Sequence, residues 1–182
     1  MKSEELGALR KHLIGDVPLP LPDTERFPPA NELDLRSCAT VHFSSEHSEH
    51  PIDHLFDHHS GPGATKWLAG RRDRAETILF VFDEPRDISH CAFEAEECNL
   101  ARTQEVRAEF LAEDDGVYHP SFIQEFNFSP DGANYQRELI PVDLRAVRRF
   151  RLTVRADKSG RGVASLTVLR LFGDRSSSAC EK

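Results

Sequence analysis

The feature of this 182-residue chain that most constrains its fold is a strict alternation near its C-terminal end. Phe150, Leu152 and Val154 fall on one side of an extended chain, and Arg149, Arg151, Thr153 and Arg155 on the other. Side chains along a strand point to opposite faces with a period of two, so this pattern calls for a strand with one face in a core and one toward solvent. Asp157-Lys-Ser-Gly then turns the chain, and residues 163–172 are expected to return as the hairpin partner. On that return Leu166, Val168 and Arg170 share one face while Thr167, Leu169 and Leu171 share the other, which implies cover on both sides.

Upstream, from Asn31 onward, short apolar runs are separated by turn residues, the spacing of an all-β sandwich or barrel. Residues 39–43 and 78–82 read as strands, the second ended by Asp83-Glu-Pro85, and residues 88–96 as a further strand. Residues 106–111 and 122–128 form another pair around the turn at residues 113–116. Ser129-Pro-Asp-Gly then supplies a tight turn, and residues 136–141 lead out of it.

The first 34 residues differ. Leu6, Leu9, Leu13 and Ile14 lie at helical spacing behind a Ser-Glu-Glu start, which predicts a short amphipathic helix over 3–14; residues 17–30 hold five prolines and read as an extended strap. The expected organisation is therefore a helix and strap over 1–34, one β-sandwich over 35–173 and a polar tail over 174–182. Neither a secretory leader nor a membrane span is visible at the N-terminal end, so the expected location is cytoplasmic, with no membrane partner. Cys38, Cys91, Cys98 and Cys180 contain no C-x-x-C pair and are expected as free thiols, although Cys91 and Cys98 would face each other across a tight turn. A formal charge of -8 argues against nucleic-acid binding.

Several segments, in order, resemble the galactose-binding-like jelly roll of discoidin or coagulation-factor type C domains and of many carbohydrate-binding modules. They are His54-Leu-Phe-Asp57 followed by Thr65-Lys-Trp67; Thr77 to Asp83 with Pro85 and Ile88-Ser89; and Phe150-Arg-Leu152, Ser165-Leu166 and Leu169 to Gly173. The resemblance implies a jelly-roll β-sandwich acting as a non-catalytic binding module for carbohydrate, gripped by loops at one end. It also implies a calcium ion near Asp57, with Thr65 as a second ligand. His58 stands where the family has Gly, and Val168 where it has an acidic residue; calcium takes six to eight oxygen ligands and suffers from each lost carboxylate. Apart from that ion no cofactor is expected.

Six histidines, His42, His47, His50, His54, His58 and His59, lie among Glu46, Glu49, Asp53 and Asp57. Imidazoles with carboxylates suit zinc or nickel, but Pro51 breaks any helix through His50 and His54, which leaves a solvated, pH-sensitive loop as the simpler reading. A metal-dependent enzyme on that loop would need several of these rings to converge on one ion. Trp67 is expected in the core. The candidate ligand-binding residues are His47 in the histidine loop, Arg71 and Arg72 after Trp67, which offer forked donors, and Tyr118 and His119 beside the acidic turn. Nine positive charges between residues 145 and 175 form a basic stripe, expected to pair with Glu94, Glu96 and Glu97 on another strand. The alternative function is a protein-interaction or scaffold domain, since the N-terminal domain of a single-strand-break-repair scaffold protein has the same general fold; its partner would be a protein rather than a carbohydrate. No Gly-x-Ser-x-Gly elbow or marked acid–base pair points to catalysis.

Overall fold

A computed structural model of the chain describes residues 31–113 and 115–175. The expected N-terminal helix, the Pro-rich strap, Cys180 and residues 176–182 lie outside the described residues. Among those described, one four-residue helix, α1 (Leu35–Cys38), and one 3-10 turn (Ile52–Phe56) accompany eight strands: β1 (Ala39–Phe43), β2 (Trp67–Arg72), β3 (Glu76–Glu96), β4 (Arg102–Ala112), β5 (His119–Phe128), β6 (Tyr135–Arg155), β7 (Val163–Leu166) and β8 (Val168–Arg175). The expected all-β sandwich is the fold observed.

The alternation of residues 149–155 is realised in β6, where Phe150, Leu152 and Val154 are fully buried. They pair with Phe80, Ile78 and Glu76 of β3 and with Phe110, Ala108 and Val106 of β4, all antiparallel. The hydrogen-bonded order is β1-β3-β6-β4-β5, with β8 on the second half of β3; β2 and β7 form a separate two-stranded sheet.

Two strands run farther than the sequence suggests. Asp83-Glu-Pro85 does not end β3: the chain stays extended through it, and the register with β6 shifts between Val81 and His90 instead. Proline lacks an N–H and so tolerates an interrupted stretch of ladder. On the facing strand Ala146 takes a φ of 48°, and Asp87 accepts its amide hydrogen at 2.8 Å, fixing the irregularity. Beyond it β3 and β6 continue into a second layer that includes β8. The layers face each other: the Phe93 ring on the second half of β3 lies 5.8 Å from Phe122 of β5, a strand with which β3 shares no hydrogen bonds.

The expected hairpin of residues 163–172 with β6 is corrected. The chain breaks at Thr167, β7 pairs with β2 and β8 with β3. Apolar residues on both faces let the segment sit inside the sandwich, and six of the nine residues from Ala164 to Phe172 are apolar and buried, Ser165 and Thr167 being buried with them. Trp67 is fully buried and donates its indole N–H to the Ser45 carbonyl at 3.2 Å. Cys38, Cys91 and Cys98 are free thiols; Cys91 is buried in β3 while Cys98 is exposed beyond its end, so the two do not face each other.

Candidate ligand-binding cleft

Ser45 to His50 runs beside β2 and builds one wall of a cleft. The His47 amide donates to the Leu68 carbonyl at 2.9 Å, the Leu68 amide to the His50 carbonyl at 3.2 Å, and the Gly70 amide to the Ser45 hydroxyl at 3.1 Å. A Cβ at position 70 would run into the Glu46 carbonyl, so only glycine lets the loop lie this close. The opposite wall is the connection from β3 to β4, with Glu96, Glu97, Leu100 and Arg102; Gly162, Val163 and Ser165 complete the lining. The cavity has a volume of about 370 Å³ and is also bordered by Lys66 and Arg72.

Arg102 holds the floor. Its guanidinium donates to the Ala156 and Val163 carbonyls at 3.1 and 2.7 Å and to the Ser165 hydroxyl at 3.0 Å, and lies 3.1 Å from a Glu97 oxygen. Burial lowers its pKa, opposed by the charges of Glu97 and Asp157. Gln104, fully buried, donates to the Ser165 carbonyl at 2.7 Å and ties β4 to the same strand. The Glu96 carboxylate accepts the Gly63 amide hydrogen at 2.9 Å. Leu100 is 58% exposed and gives the cleft an apolar edge.

Of the candidate ligand-binding residues, His47 and Arg72 line this cleft. Arg71 is adjacent in sequence, but its guanidinium hydrogen-bonds the Ser44 carbonyl and lies 3.5 Å from the buried Glu76 carboxylate. Tyr118 and His119 are not brought to the cleft. They stand at the far end of β4 from Arg102, with His119 opposite Phe110. There the Arg151 guanidinium covers the Tyr118 ring at 3.9 Å, and His119 pairs with Asp115 and packs against Phe110. Lys66 and Leu100 were not singled out by sequence, and Glu96 and Glu97 only as partners for the basic stripe; an isolated leucine in the polar run Glu-Cys-Asn-Leu-Ala-Arg was the available signal.

The Thr65 hydroxyl donates to Asp57 at 2.6 Å, and the His59 amide to the same carboxylate at 2.9 Å. Burial alone would raise the Asp57 pKa, but hydrogen bonds from Thr65 and His59 outweigh it and hold the carboxyl below its usual value. Asp57 and Thr65 thus offer one carboxylate and one hydroxyl already bonded to each other, a side-chain set well short of the six to eight oxygens calcium takes. Among the described residues no three His, Cys, Asp or Glu side chains are placed to hold a metal ion. The histidine loop is mostly exposed: the His47, His50 and His54 rings stand 5.7 and 6.1 Å apart in sequence order, and the 3-10 turn starts only after Pro51.

The basic stripe is largely neutralised, but not by the partners expected. Arg145 meets Asp87 and Asp143, Arg148 meets Glu113, Arg151 meets Glu109, Lys158 meets Glu125, Arg170 meets Glu32 and Arg175 meets Glu84. Glu94 instead faces Arg137, its register partner on β6, and Glu97, just beyond the end of β3, faces Arg102 at the start of β4. A larger cavity of about 500 Å³ lies between residues 32–36, the 3-10 turn and β8. Much of its polar rim is internally paired, Arg36 with Asp53, Arg170 with Glu32 and His59 with Asp57.

No protein-family model and no curated protein matches the sequence. Solved structures do match in fold. The third CBM32 module of a family 31 glycoside hydrolase from Clostridium perfringens superposes with a TM-score of 0.59 at 13% identity, over 79% of this chain and 95% of that one. A CBM32 module of a Clostridium perfringens family 89 protein, in complex with GalNAc-β-1,3-galactose, gives 0.54 at 13% identity over 78% and 99%. The CBM32 module of AlyQ, in complex with 4,5-unsaturated mannuronic acid, gives 0.55 at 15% identity over 75% and 95%. With this likeness along nearly the whole length of each module, the chain has the galactose-binding-like jelly-roll fold.

Proposed function

We propose that the chain is a non-catalytic carbohydrate-binding module that takes its sugar in the cleft between the Ser45–His50 loop, β2 and the β3–β4 connection. The observation that carries this reading is the composition of that cleft. Side chains from four segments distant in sequence converge on about 370 Å³, with hydrogen-bonding groups at His47, Lys66, Arg72, Glu96 and Glu97 and an exposed apolar edge at Leu100. Sugars present hydroxyls around apolar C–H faces, and a mixed cleft of this kind matches both. The structural neighbours described above include modules bound to a neutral and to an acidic sugar. The larger cavity is set aside because most of its charged groups already satisfy one another.

The test is a thermal-shift and calorimetric screen of mono- and oligosaccharides against the full chain, since a ligand that binds only the native state raises the melting temperature. A saccharide that raises Tm in the wild type and loses that effect in Arg72→Ala and Leu100→Ser supports the reading. A flat response to every sugar overturns it and favours the second reading, a protein-interaction domain. One observation favours that alternative: the larger cavity has a partly apolar floor of Leu33, Leu35, Leu55, Phe56 and Leu169.

A further inference from the structure

The cleft contains donors and acceptors in unequal supply. Its carboxylates are engaged: Glu97 lies against Arg102 and also accepts the Asn99 amide hydrogen at 2.9 Å, and one oxygen of Glu96 accepts the Gly63 amide. Two of its three cations, Lys66 and Arg72, are not. Among the described residues neither the Lys66 ammonium nor the Arg72 guanidinium has a hydrogen-bonding or ion-pairing partner, whereas the third cation of the cleft, Arg102, does. The Glu49 amide donates to Nδ1 of His47 at 3.2 Å, so the neutral ring carries its proton on Nε2 as one more donor. Three fixed positive charges, on Lys66, Arg72 and Arg102, meet two negative ones, on Glu96 and Glu97, giving a local excess of one in a chain whose total is -8.

We infer that this cleft selects an acidic saccharide, an oligosaccharide whose carboxylates or sulfate esters are met by Lys66 and Arg72 while its hydroxyls reach Glu96 and His47. The inference rests on the carbohydrate reading of the same cleft and adds the charge class of the sugar. A neutral sugar, whose hydroxyls donate as well as accept, would leave two cations without counter-ions; a carboxylate or sulfate is acceptor-rich and bonds both more strongly. Lys66 immediately precedes β2 and Arg72 ends it, so up to about 20 Å of strand separates them, a span for an oligomer rather than one ring. The two residues offer different fits. Arg72 presents a planar fork suited to a bidentate carboxylate or sulfate, and Lys66 a compact charge that follows a mobile one.

The experiment titrates the full chain calorimetrically with an oligogalacturonate, with the same oligomer methyl-esterified, and with a sulfated galactan oligosaccharide of similar length. The ester keeps the ring and hydroxyls and removes the charge. The expected result is that one of the anionic oligomers binds roughly tenfold or more tighter than the ester at low salt, that the margin narrows as salt is raised, and that Lys66→Gln combined with Arg72→Gln removes it. Which anionic oligomer binds distinguishes carboxylate from sulfate. Equal affinity for acid and ester, or an acid preference that survives in the double variant, overturns the inference and leaves the carbohydrate reading standing. No binding by any of the three, or by the neutral panel above, overturns both. Both substitutions are at side chains without structural partners, and unchanged thermal unfolding of the variants confirms that lost binding is not lost folding.

Discussion

The Glu94 carboxylate accepts the Gly61 amide hydrogen at 2.8 Å, joining a buried position on β3 to a loop 33 residues earlier in the chain. The same carboxylate faces Arg137 at 3.5 Å and takes a hydrogen bond from Tyr135, whose pKa burial and Glu94 together push up to about 12. Glu94→Ala would leave three donors without their acceptor, one of them a cation, and is expected to destabilise the fold by about 2–4 kcal/mol, whereas Glu94→Gln, which keeps an acceptor oxygen, costs less. Urea unfolding of the two variants checks the order; equal loss from both would show that shape rather than hydrogen bonding matters there.

The single tryptophan provides a direct reading of burial. Trp67 is fully enclosed, so its emission is expected to be blue-shifted, insensitive to iodide and unchanged by any saccharide that fills the cleft. Trp67→Ala removes a buried ring and its bond to Ser45, with an expected loss of about 3–5 kcal/mol.

Gly70 separates cleft geometry from stability. Gly70→Ala must push the backbone at Glu46 outward and move His47 with it. The expected outcome is a fall in saccharide affinity of about tenfold or more with a smaller effect on Tm than Trp67→Ala produces, read by calorimetry on both variants.

Asp157 governs part of the acid response. Hydrogen bonds from the Ser159 hydroxyl and from the Thr103 and Ser159 amides hold its pKa down to about 2, below the roughly 3.9 of an unfolded aspartate. A depressed carboxyl contributes stability that is present above the unfolded pKa and lost as pH falls through the folded one. The wild type should therefore lose stability between about pH 4 and 2, and Asp157→Asn should be less stable at neutral pH and lose less across that window, as measured by Tm against pH.

Much of the fold was legible because burial alternates residue by residue where a strand has one wet face. Phe150, Leu152 and Val154 showed their orientation directly, and Trp67 its place in the core. The continuity of β3 was hidden because Asp83-Glu-Pro85 has the composition of a turn; only the irregular pairing around Asp87 and Ala146 lets the strand pass through it. The partners of residues 163–172 were hidden for the opposite reason: with apolar side chains on both faces, no periodicity marks the break at Thr167. In the cleft, His47 and Arg72 were readable as chemistry. Lys66, Glu96 and Leu100 become neighbours only through the β2–β7 pairing and the loop after β3, contacts between segments about 30 to 100 residues apart. Tyr118 and His119 look available in sequence because their neighbours are polar, yet Arg151 and Phe110 reach them from other strands.

The two 21-residue strands β3 and β6 belong to both layers of the sandwich. Neither layer can then melt without dragging the backbone of the other, so slowly exchanging amides should not divide into an early-opening and a late-opening sheet. Amide hydrogens at Phe80 and Phe93, on opposite sides of the bend, are expected to exchange through the same global opening, and stress applied at either end of the molecule is carried by continuous chain rather than by side-chain packing alone.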